Sequence, residues 1–221
     1  PSASHAFPDE RLNEVLATLI EDPEVGTYLE AQNVKAVDRK GYNDHGPKHI
    51  EIVRDRALQL YELLKAGGVD FNGAGDQGLT EADEPVIVPL AADLLDRLLD
   101  PFYDEREAVR MKAETLHAIL CHHTEEDPLT TEAGVIRVAD ALDMERGRSR
   151  IPYEQGGRGI NTLSSRAITN VVLKPGDGVP VLVEIEMVNA AGVYQVDSLL
   201  KAKLENSLLE DQIRIVAINT K

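Results

Sequence analysis

Histidine and aspartate side chains that could bind a metal ion occur at three separate places in the sequence. The first place is YNDHGPKHIEIV, which carries His45 and His49. The second is the histidine group of LHAILCHH, and the third is Asp140 in VIRVADALDM. Imidazole and carboxylate are ligands that divalent first-row metals accept. The residue types therefore allow a divalent-cation site, provided that the fold brings the three places together.

His49 lies on the apolar face of a predicted helix. Gly46-Pro47 is typical of a helix start, because proline has no N–H to leave unpaired in the first turn. At 100° per residue, five apolar residues of this helix fall within about 60° of His49. They are Ile52, Val53, Leu60, Leu63 and Leu64. His49 is therefore predicted to point inward, either as a metal ligand or as a core histidine bonded to a carbonyl. His45 belongs to the entry turn.

The histidines of LHAILCHH lie on another predicted helix. His117 is the one polar residue between Leu116 and Cys121, in a helix that is apolar nearly all round and is expected to be buried. His122 and His123 close the helix, where the helix dipole favours an imidazolium. Neighbouring residues point about 100° apart on a helix, so at most one of the two is expected to serve a given site.

Asp140 lies in an apolar setting although it is on the side of its helix opposite Val135 and Val138. The residues four positions before and after it are Ile136 and Met144, and both are apolar. A carboxylate among apolar neighbours loses its hydration unless another group compensates. Asp140 is therefore expected to be paired with a partner or to serve as a ligand.

A cluster of arginines follows in MERGRSRIPYEQGGRG, within an otherwise acidic chain. Its members are Arg146, Arg148, Arg150 and Arg158. A guanidinium can bind a phosphate through two parallel hydrogen bonds, so arginines beside a metal would suit a phosphorylated ligand. The alternative is that they pair with local acids such as Asp143 or tie two domains together.

The pattern of elements predicts a mainly α fold. Apolar spacing predicts helices before residue 156, and β-rich runs with one short helix follow. The predicted helices cover 9–25, 46–64, 89–100, 104–123 and 131–144. The predicted strands cover 167–174, 181–188 and 212–218. This order divides the chain into a helical domain, 1–155, and a small α+β domain of ββαβ order, 156–221.

Composition narrows the function classes. The 221 residues include 39 acidic and 23 basic side chains, a formal charge of −16 that disfavours nonspecific nucleic-acid binding. No apolar run is long enough to cross a membrane. The single cysteine, Cys121, excludes an internal disulfide and suits a reducing cytoplasm. A soluble cytoplasmic protein is expected, with neither a nucleic-acid nor a membrane partner.

Three stretches together resemble the HD-domain metal-dependent phosphohydrolases, in an archaeal and bacterial branch with a small α+β C-terminal domain. These are HIEIVRDRALQLYELL, LHAILCHH and GVIRVADALDMERGRSRIP, and the resemblance spans roughly residues 40–215. It implies an HD-like helical bundle that hydrolyses a phosphate ester or phosphoanhydride, with a nucleotide as one candidate substrate. The implied cofactor is a divalent metal ion, one of Mn, Mg, Fe, Ni, Co or Zn. A homodimer is a further expectation.

The resemblance also assigns roles to individual residues. It implies that His49 and Asp140 are metal ligands and that the pair His122 and His123 matches histidines that bind a second metal in related members. The residues expected to act as acid, base or orienting groups are Asp44, His45 and His117. Those expected to bind the phosphoryl group of a small phosphorylated substrate are Arg146, Arg148 and Arg150.

One element of the family pattern is absent. The His-Asp dyad that gives the family its name lies on a helix after the first histidine, yet no histidine occurs between His49 and His117. Either the chain has lost the dyad or a loop-and-helix segment is absent between Val88 and Pro89. The apolar EPVIV favours an absent segment, because it reads as the start of a buried helix whose loss would cost several kcal/mol. A chain without the dyad would be a non-catalytic module for ligand sensing or dimerisation.

Overall fold

Helices make up most of the chain, and a small three-stranded sheet follows them. The structure is a computed structural model, and it describes residues 10–39, 43, 45–92, 99, 101–123, 125–149 and 159–220. The α-helices are α1 (Glu10–Glu21), α2 (Pro23–Asn33), α3 (Pro47–Ala66), α4 (Gly73–Asp76), α5 (Glu84–Ala92), α6 (Glu105–Cys121), α7 (Thr131–Leu142), α8 (Ile160–Ser165) and α9 (Lys201–Leu204). The strands are β1 (Ile168–Pro175), β2 (Val181–Met187) and β3 (Ile213–Asn219). The mainly α prediction is confirmed.

Shorter helical turns join these elements. The turns of 3-10 type are Glu81–Asp83, Arg146–Ser149 and Ala190–Gly192, and the π-type turns are Val34–Arg39 and Gln195–Leu200. Among the described residues, none of the helices combines the length and the apolar character that crossing a bilayer would require.

The helix predicted over 9–25 is divided in two. Proline disfavours the helical conformation of the residue before it, so Pro23 ends α1 at Glu21 and leaves Asp22 extended. Asp22 then caps α2, because its carboxylate accepts hydrogen bonds from the backbone N–H groups of Glu24 and Val25 at 2.8 and 3.1 Å. The Asp-Pro pair thus converts one amphipathic run into two helices.

Helix α5 continues through Val88 and Pro89 without interruption and ends at Ala92. Val86, Ile87 and Val88 are buried, as the apolar EPVIV predicts. Of the helix predicted over 89–100, residues 89–92 form the second half of α5. Residues 93–98 lie outside the described residues. The structure thus shows no break in the chain between Val88 and Pro89.

Helix α6 is amphipathic and not buried all round. Asp104 caps its start, and its buried side includes Met111, Thr115 and Ala118. Leu116 and Leu120 face solvent, with 42% and 68% of their surface exposed. The prediction of a fully buried helix is wrong. Leu116 and Leu120 raise the apolar content of this stretch of sequence, but they lie on the outer side of α6.

Helices α3 and α7 pack against each other in opposite directions. The first turn of α3 meets the end of α7, where His49 contacts Asp140. At the other end, Glu132 in the first turn of α7 accepts the N–H groups of Gly73 and Ala74, just beyond the end of α3, at 3.0 and 3.3 Å. Glu132 is fully buried, and burial raises the pKa of its carboxyl group. This antiparallel pair sets the geometry of the site described below.

The sheet has the order β1-β2-β3, with an antiparallel pair β1-β2 and a parallel pair β2-β3. The segment Gln195–Leu204 forms the helical link between β2 and β3, so the predicted ββαβ order is confirmed. Arg56 of α3 donates to the Val171 carbonyl at 2.8 Å, and Glu145 accepts the Val171 N–H at 3.1 Å. These bonds join the sheet to α3 and to the segment that follows α7.

One apolar cluster extends from the helices into the sheet. It includes Leu12, Leu58 and Val138 of the helices together with Val183 of β2. The predicted domain boundary between 155 and 156 lies outside the described residues. In the described part of the chain, the helical and β elements share a continuous core.

Candidate functional site

The end of α7 and the start of α3 form a buried cluster of charged side chains. His49, 5% exposed, lies between two carboxylates: its Nε2 is 3.1 Å from Asp140 Oδ1 and its Nδ1 is 2.7 Å from Asp143 Oδ2. The inward orientation predicted for His49 is confirmed. Its partners, however, are carboxylates and not a backbone carbonyl.

Arg148 closes one side of this cluster. Its Nη1 donates to Asp143 Oδ2 at 2.7 Å and also contacts the ring of His49 at Nδ1. The side chain is 13% exposed. Pairing of an arginine with Asp143 was the alternative to phosphate binding, and the structure shows that pairing for Arg148.

Lys203 closes the other side. It belongs to α9 in the C-terminal part of the chain, and its Nζ is hydrogen-bonded to Asp140 Oδ2. The side chains of Lys203 and Asp140 are 14% and 16% exposed. Asp140 thus has a partner for each oxygen, His49 for one and Lys203 for the other, as expected for an acid in an apolar setting.

The surrounding charges keep both aspartates ionised. Burial alone would raise the pKa of Asp140, but the charge of Lys203, the hydrogen bond from His49 and the charge of Arg148 hold it well below its ordinary value. Burial is likewise outweighed at Asp143, whose pKa is lowered by the hydrogen bond from His49 and by the charge of Arg148. Both groups are therefore carboxylates, which is the form that binds cations.

Two further histidines lie near the cluster as neutral imidazoles. The ring centroid of His45 is 5.4 Å from that of His49, and its Nδ1 donates to the Asn43 carbonyl at 2.6 Å. Burial and the charge of Arg148 lower the pKa of His45. The neutral ring thus carries its lone pair on Nε2. This is the form that a proton acceptor beside His49 requires.

His122 is one of the two predicted metal ligands at the end of α6, and His123 is the other. The Nδ1 of His122 donates to the Ile119 carbonyl, so Nε2 carries the lone pair in the neutral ring. Burial lowers the pKa of His122, and the charges of Asp140 and Lys203 act on it in opposite directions. His122 therefore lies within electrostatic range of the cluster. His123 is exposed and stacks against His122 with 3.8 Å between ring centroids.

The remaining predicted residues are placed elsewhere or lie outside the described part. His117 accepts the Leu129 N–H at Nε2, at 3.1 Å, and its Nδ1 is 3.5 Å from Cys121 Sγ. These bonds give His117 a structural position between α6 and the following loop. Arg146 is exposed. Asp44 and Arg150 lie outside the described residues.

The side chains of the cluster are of the types that bind a divalent cation, but too few of them come together to form a metal site. His49, Asp140 and His122 are imidazole and carboxylate ligands of the kind that first-row metals accept. Within the described ranges, however, no group of three or more His, Cys, Asp or Glu side chains is arranged to hold a metal ion. The charges of Asp140 and Asp143 are instead balanced by Lys203 and Arg148.

Sequence reasoning did not identify Lys203 as part of the cluster, and it treated Asp143 only as a partner for arginines. Asp143 follows directly after the last residue of α7. Its position in RVADALDM, three residues after Asp140, is the feature of the sequence that could have identified it. Lys203 has no such signal. It reaches Asp140 only because α9 packs against α7 in the folded chain.

The buried carboxylates predict a specific pH dependence of stability. A group with a lowered folded-state pKa stabilises the fold above its ordinary pKa and loses that contribution as the pH falls. The ordinary value for aspartate is 3.8. We expect Asp143→Asn to lower the free energy of unfolding at pH 7 by about 2 kcal/mol. Below about pH 4, the variant is expected to lose less stability with falling pH than the wild type does.

Urea denaturation between pH 2 and pH 7 measures this difference. Asp55→Asn is the matched control, because Asp55 also pairs with an arginine but is 61% exposed. The control is expected to follow the wild-type curve within about 0.5 kcal/mol. Parallel curves for Asp143→Asn and the wild type would show that Asp143 does not titrate abnormally.

Comparison with known proteins identifies an archaeal relative. No protein-family model matches the chain, and no solved structure matches it. The chain is 33% identical over 222 residues to the uncharacterized protein MJ1020 of Methanocaldococcus jannaschii, and the match covers 90% of this chain and 86% of that protein. At this identity and coverage, the chain belongs to the same family as the archaeal protein.

Proposed function

We propose that this chain is a metal-dependent phosphohydrolase of the HD-domain type, acting on a phosphate ester or phosphoanhydride. The observation that carries the proposal is the buried pairing of His49 with Asp140. These are the two residues that the family resemblance assigns to the metal, and they come from the start of α3 and the last turn of α7. The two residues lie on different helices, and the packing of α3 against α7 brings them together.

His49 and Asp140 would hold the metal, with His122 as the third candidate. When bound, a divalent ion lowers the pKa of a water molecule and polarises a phosphoryl oxygen. Asp143 orients the His49 ring through Nδ1, as the orienting partners of metal-binding histidines do. His45, neutral and next to the His49 ring, can accept a proton.

The arginines after α7 would bind the anionic substrate. The chain is acidic overall, so a phosphorylated substrate needs local positive charge. Arg148 already lies in the cluster, and the exposed Arg146 belongs to the same 3-10 turn, Arg146–Ser149. We include Arg150 in this role through its place in RGRSRIP. Guanidinium groups there would neutralise charge on the phosphoryl group.

The His-Asp dyad of the family pattern has no counterpart in this chain. No histidine lies between His49 and His117, and α5 runs through Val88 and Pro89 without a break. The proposed site therefore relies on His49 and Asp140, with His122 as the third candidate.

A second candidate function is a non-catalytic HD module for ligand sensing or dimerisation. The observation that favours it is the charge balance: Lys203 and Arg148 neutralise both carboxylates without a metal. Such a module would keep the fold and the ion pairs but bind no divalent cation. Homodimer formation would be compatible with either function.

Hydrolysis assays separate the two functions. The purified chain is stripped with EDTA, reconstituted with Mn²⁺ or Co²⁺ and tested on p-nitrophenyl phosphate and on its bis-ester. We expect turnover that disappears with EDTA and returns with the metal. The control is His49→Ala prepared in the same way. Absence of turnover with every metal and both substrates would reject the enzymatic function and leave the module.

A further inference from the structure

The edge strand β3 is regular and apolar. It pairs with β2 from Ile213 to Asn219 without a register shift, and its sequence IRIVAIN contains no proline and one charged side chain, Arg214. Val216 and Ile218 are each 38% exposed. A regular apolar edge of this kind readily pairs with another chain, because its outer N–H and C=O groups can join a further strand.

The opposite edge of the sheet is protected against such pairing. At β1, Arg56 of α3 donates to the Val171 carbonyl at 2.8 Å, and Glu145 accepts the Val171 N–H at 3.1 Å. A register shift between Ile168 and Asn170 also interrupts the regular pairing of β1. For 213–218 of β3, the described part of the chain supplies no comparable side-chain cover. The two edges of one sheet are therefore treated differently, and only β1 is closed.

The outward backbone groups of β3 belong to alternate residues. The Val181 N–H donates to the Gln212 carbonyl at 3.1 Å, and the Thr220 N–H donates to the Met187 carbonyl at 2.9 Å. Successive residues of a strand direct their N–H and C=O groups to opposite sides, so the even-numbered residues of β3 face β2. The residues whose N–H and C=O groups point away from β2 include Ile213, Ile215 and Ala217.

A second copy of β3 fits this edge when the two strands run antiparallel about a two-fold axis at Val216. Ile215 then lies opposite Ala217 of the other copy, and the two residues exchange both of their outward hydrogen bonds. Ile215 is half-buried on the inner face of the sheet, and Ala217 is exposed on the same face. The small side chain of Ala217 leaves room for Ile215 of the other copy, and the two-fold axis makes this contact twice.

Arg214 and Glu186 are complementary in charge across this pairing. On the outer face of the sheet, Arg214 lies beside Leu182 of β2, and Leu182 lies beside Lys174 of β1, so the row of Arg214 contains no acid. Glu186 lies on β2 beside Ile218. In the antiparallel pairing, Arg214 faces Ile218 of the other copy, and Glu186 of that copy is next in line. An arginine and a glutamate together span the roughly 10 Å between next-but-one strands.

We propose that two copies of this chain associate through β3, in antiparallel pairing centred on Val216, to form one continuous six-stranded sheet. The hydrogen bonds between Ile215 and Ala217 and two ion pairs between Arg214 and Glu186 define the register. Val216 of each copy meets its counterpart at the axis, which removes two exposed apolar side chains from water. The interface is independent of the proposed metal site, because no residue of β3 belongs to that site.

Sedimentation of the full chain over a concentration series tests the pairing. We expect a monomer–dimer equilibrium in the wild type, whose dimer is visible at about 200 µM if its dissociation constant lies below about 100 µM. Ala217→Pro removes an outward N–H from each copy without touching the ladder to β2, and it is expected to weaken dimerisation about 10-fold. Ala217→Ser keeps the N–H and is the matched control, expected within about 2-fold of the wild type.

Charge reversal tests the register without altering the backbone. We expect Arg214→Glu and Glu186→Arg each to weaken dimerisation at least about 5-fold, because each variant places two like charges together twice in the dimer. The double variant that carries both changes restores opposite charges and is expected to recover the wild-type dissociation constant within about 3-fold. Single variants that dimerise like the wild type, or a double variant that does not recover, would overturn the register.

The exposed leucines of α6 supply the control on another surface. Leu120 is 68% exposed, and Leu120→Arg is expected to leave the dimer unchanged. Circular dichroism establishes that each variant is folded. A wild type that stays monomeric at about 200 µM would overturn the proposal. A dimer that is lost in Leu120→Arg but kept in Ala217→Pro would place the interface on α6 and overturn it as well.

Discussion

Replacing Asp140 with asparagine is expected to lower kcat/KM for metal-dependent phosphate-ester hydrolysis at least about 100-fold. Removing a residue that merely orients a metal ligand costs 10- to 100-fold, and Asp140 is proposed to bind the metal itself. Asparagine keeps the size of the side chain but removes the negative charge that binds both the metal and Lys203. The loss is therefore expected mainly in metal affinity. Steady-state kinetics over a range of Mn²⁺ concentrations measures it.

The control for this variant is Asp197→Asn, which removes a carboxylate that is also bonded to a lysine of α9 but is 52% exposed. It is expected to leave kcat/KM unchanged within about 2-fold, as for other surface ion pairs. Circular dichroism establishes that both variants are folded. A folded Asp140→Asn variant with wild-type kcat/KM would remove Asp140 from the site.

Gly134→Ala is expected to destabilise the fold by about 2–3 kcal/mol although alanine is the better helix former. Gly134 lies inside α7, where alanine would otherwise gain about 1 kcal/mol. The new Cβ would meet the Ser207 carbonyl oxygen at 2.0 Å and the Ser207 carbonyl carbon at 3.2 Å. These are backbone atoms, so the segment after α9 must move away as a unit, and forced overpacking of this kind costs 1–3 kcal/mol or more. Urea denaturation at pH 7 measures the change.

Gly26→Ala is the matched control for this variant. Gly26 lies inside α2, and no atom beyond its neighbours lies within 4 Å of the position that its Cβ would take. There, alanine is expected to stabilise the fold by roughly 0.5–1 kcal/mol. If Gly134→Ala were as stable as the wild type, the C-terminal segment would not pack against α7 as the structure describes.

The main elements of the fold follow from local sequence signals. The start of α3 at Pro47 and the three strands agree with the prediction, because proline position and β-branched runs act over a few residues. The division at Asp22 could have been read from the Asp-Pro pair. The exposed outer side of α6 could not, since whether Leu116 packs depends on which helices lie beside it.

The candidate site is predictable only in part, for the same reason. Helical periodicity identifies His49 by its inward-facing position, and it identifies Asp140 by the apolar Ile136 and Met144 four residues before and after it. The meeting of these two residues depends on the antiparallel packing of α3 and α7, which no local pattern encodes. The contact of Lys203 with Asp140 is even harder to predict, because it depends on a turn after α9 that packs against Gly134 of α7.

The central claim is that the pair His49–Asp140 belongs to a divalent-cation site. Calorimetric titration of the metal-stripped wild-type chain with Mn²⁺, repeated on His49→Ala, tests it most directly. The proposed function predicts roughly one Mn²⁺ per chain in the wild type and at least about 100-fold weaker binding in the variant, since imidazole and carboxylate are the ligands involved. Wild-type protein that binds no Mn²⁺, or a His49→Ala variant that binds it equally well, would contradict the claim.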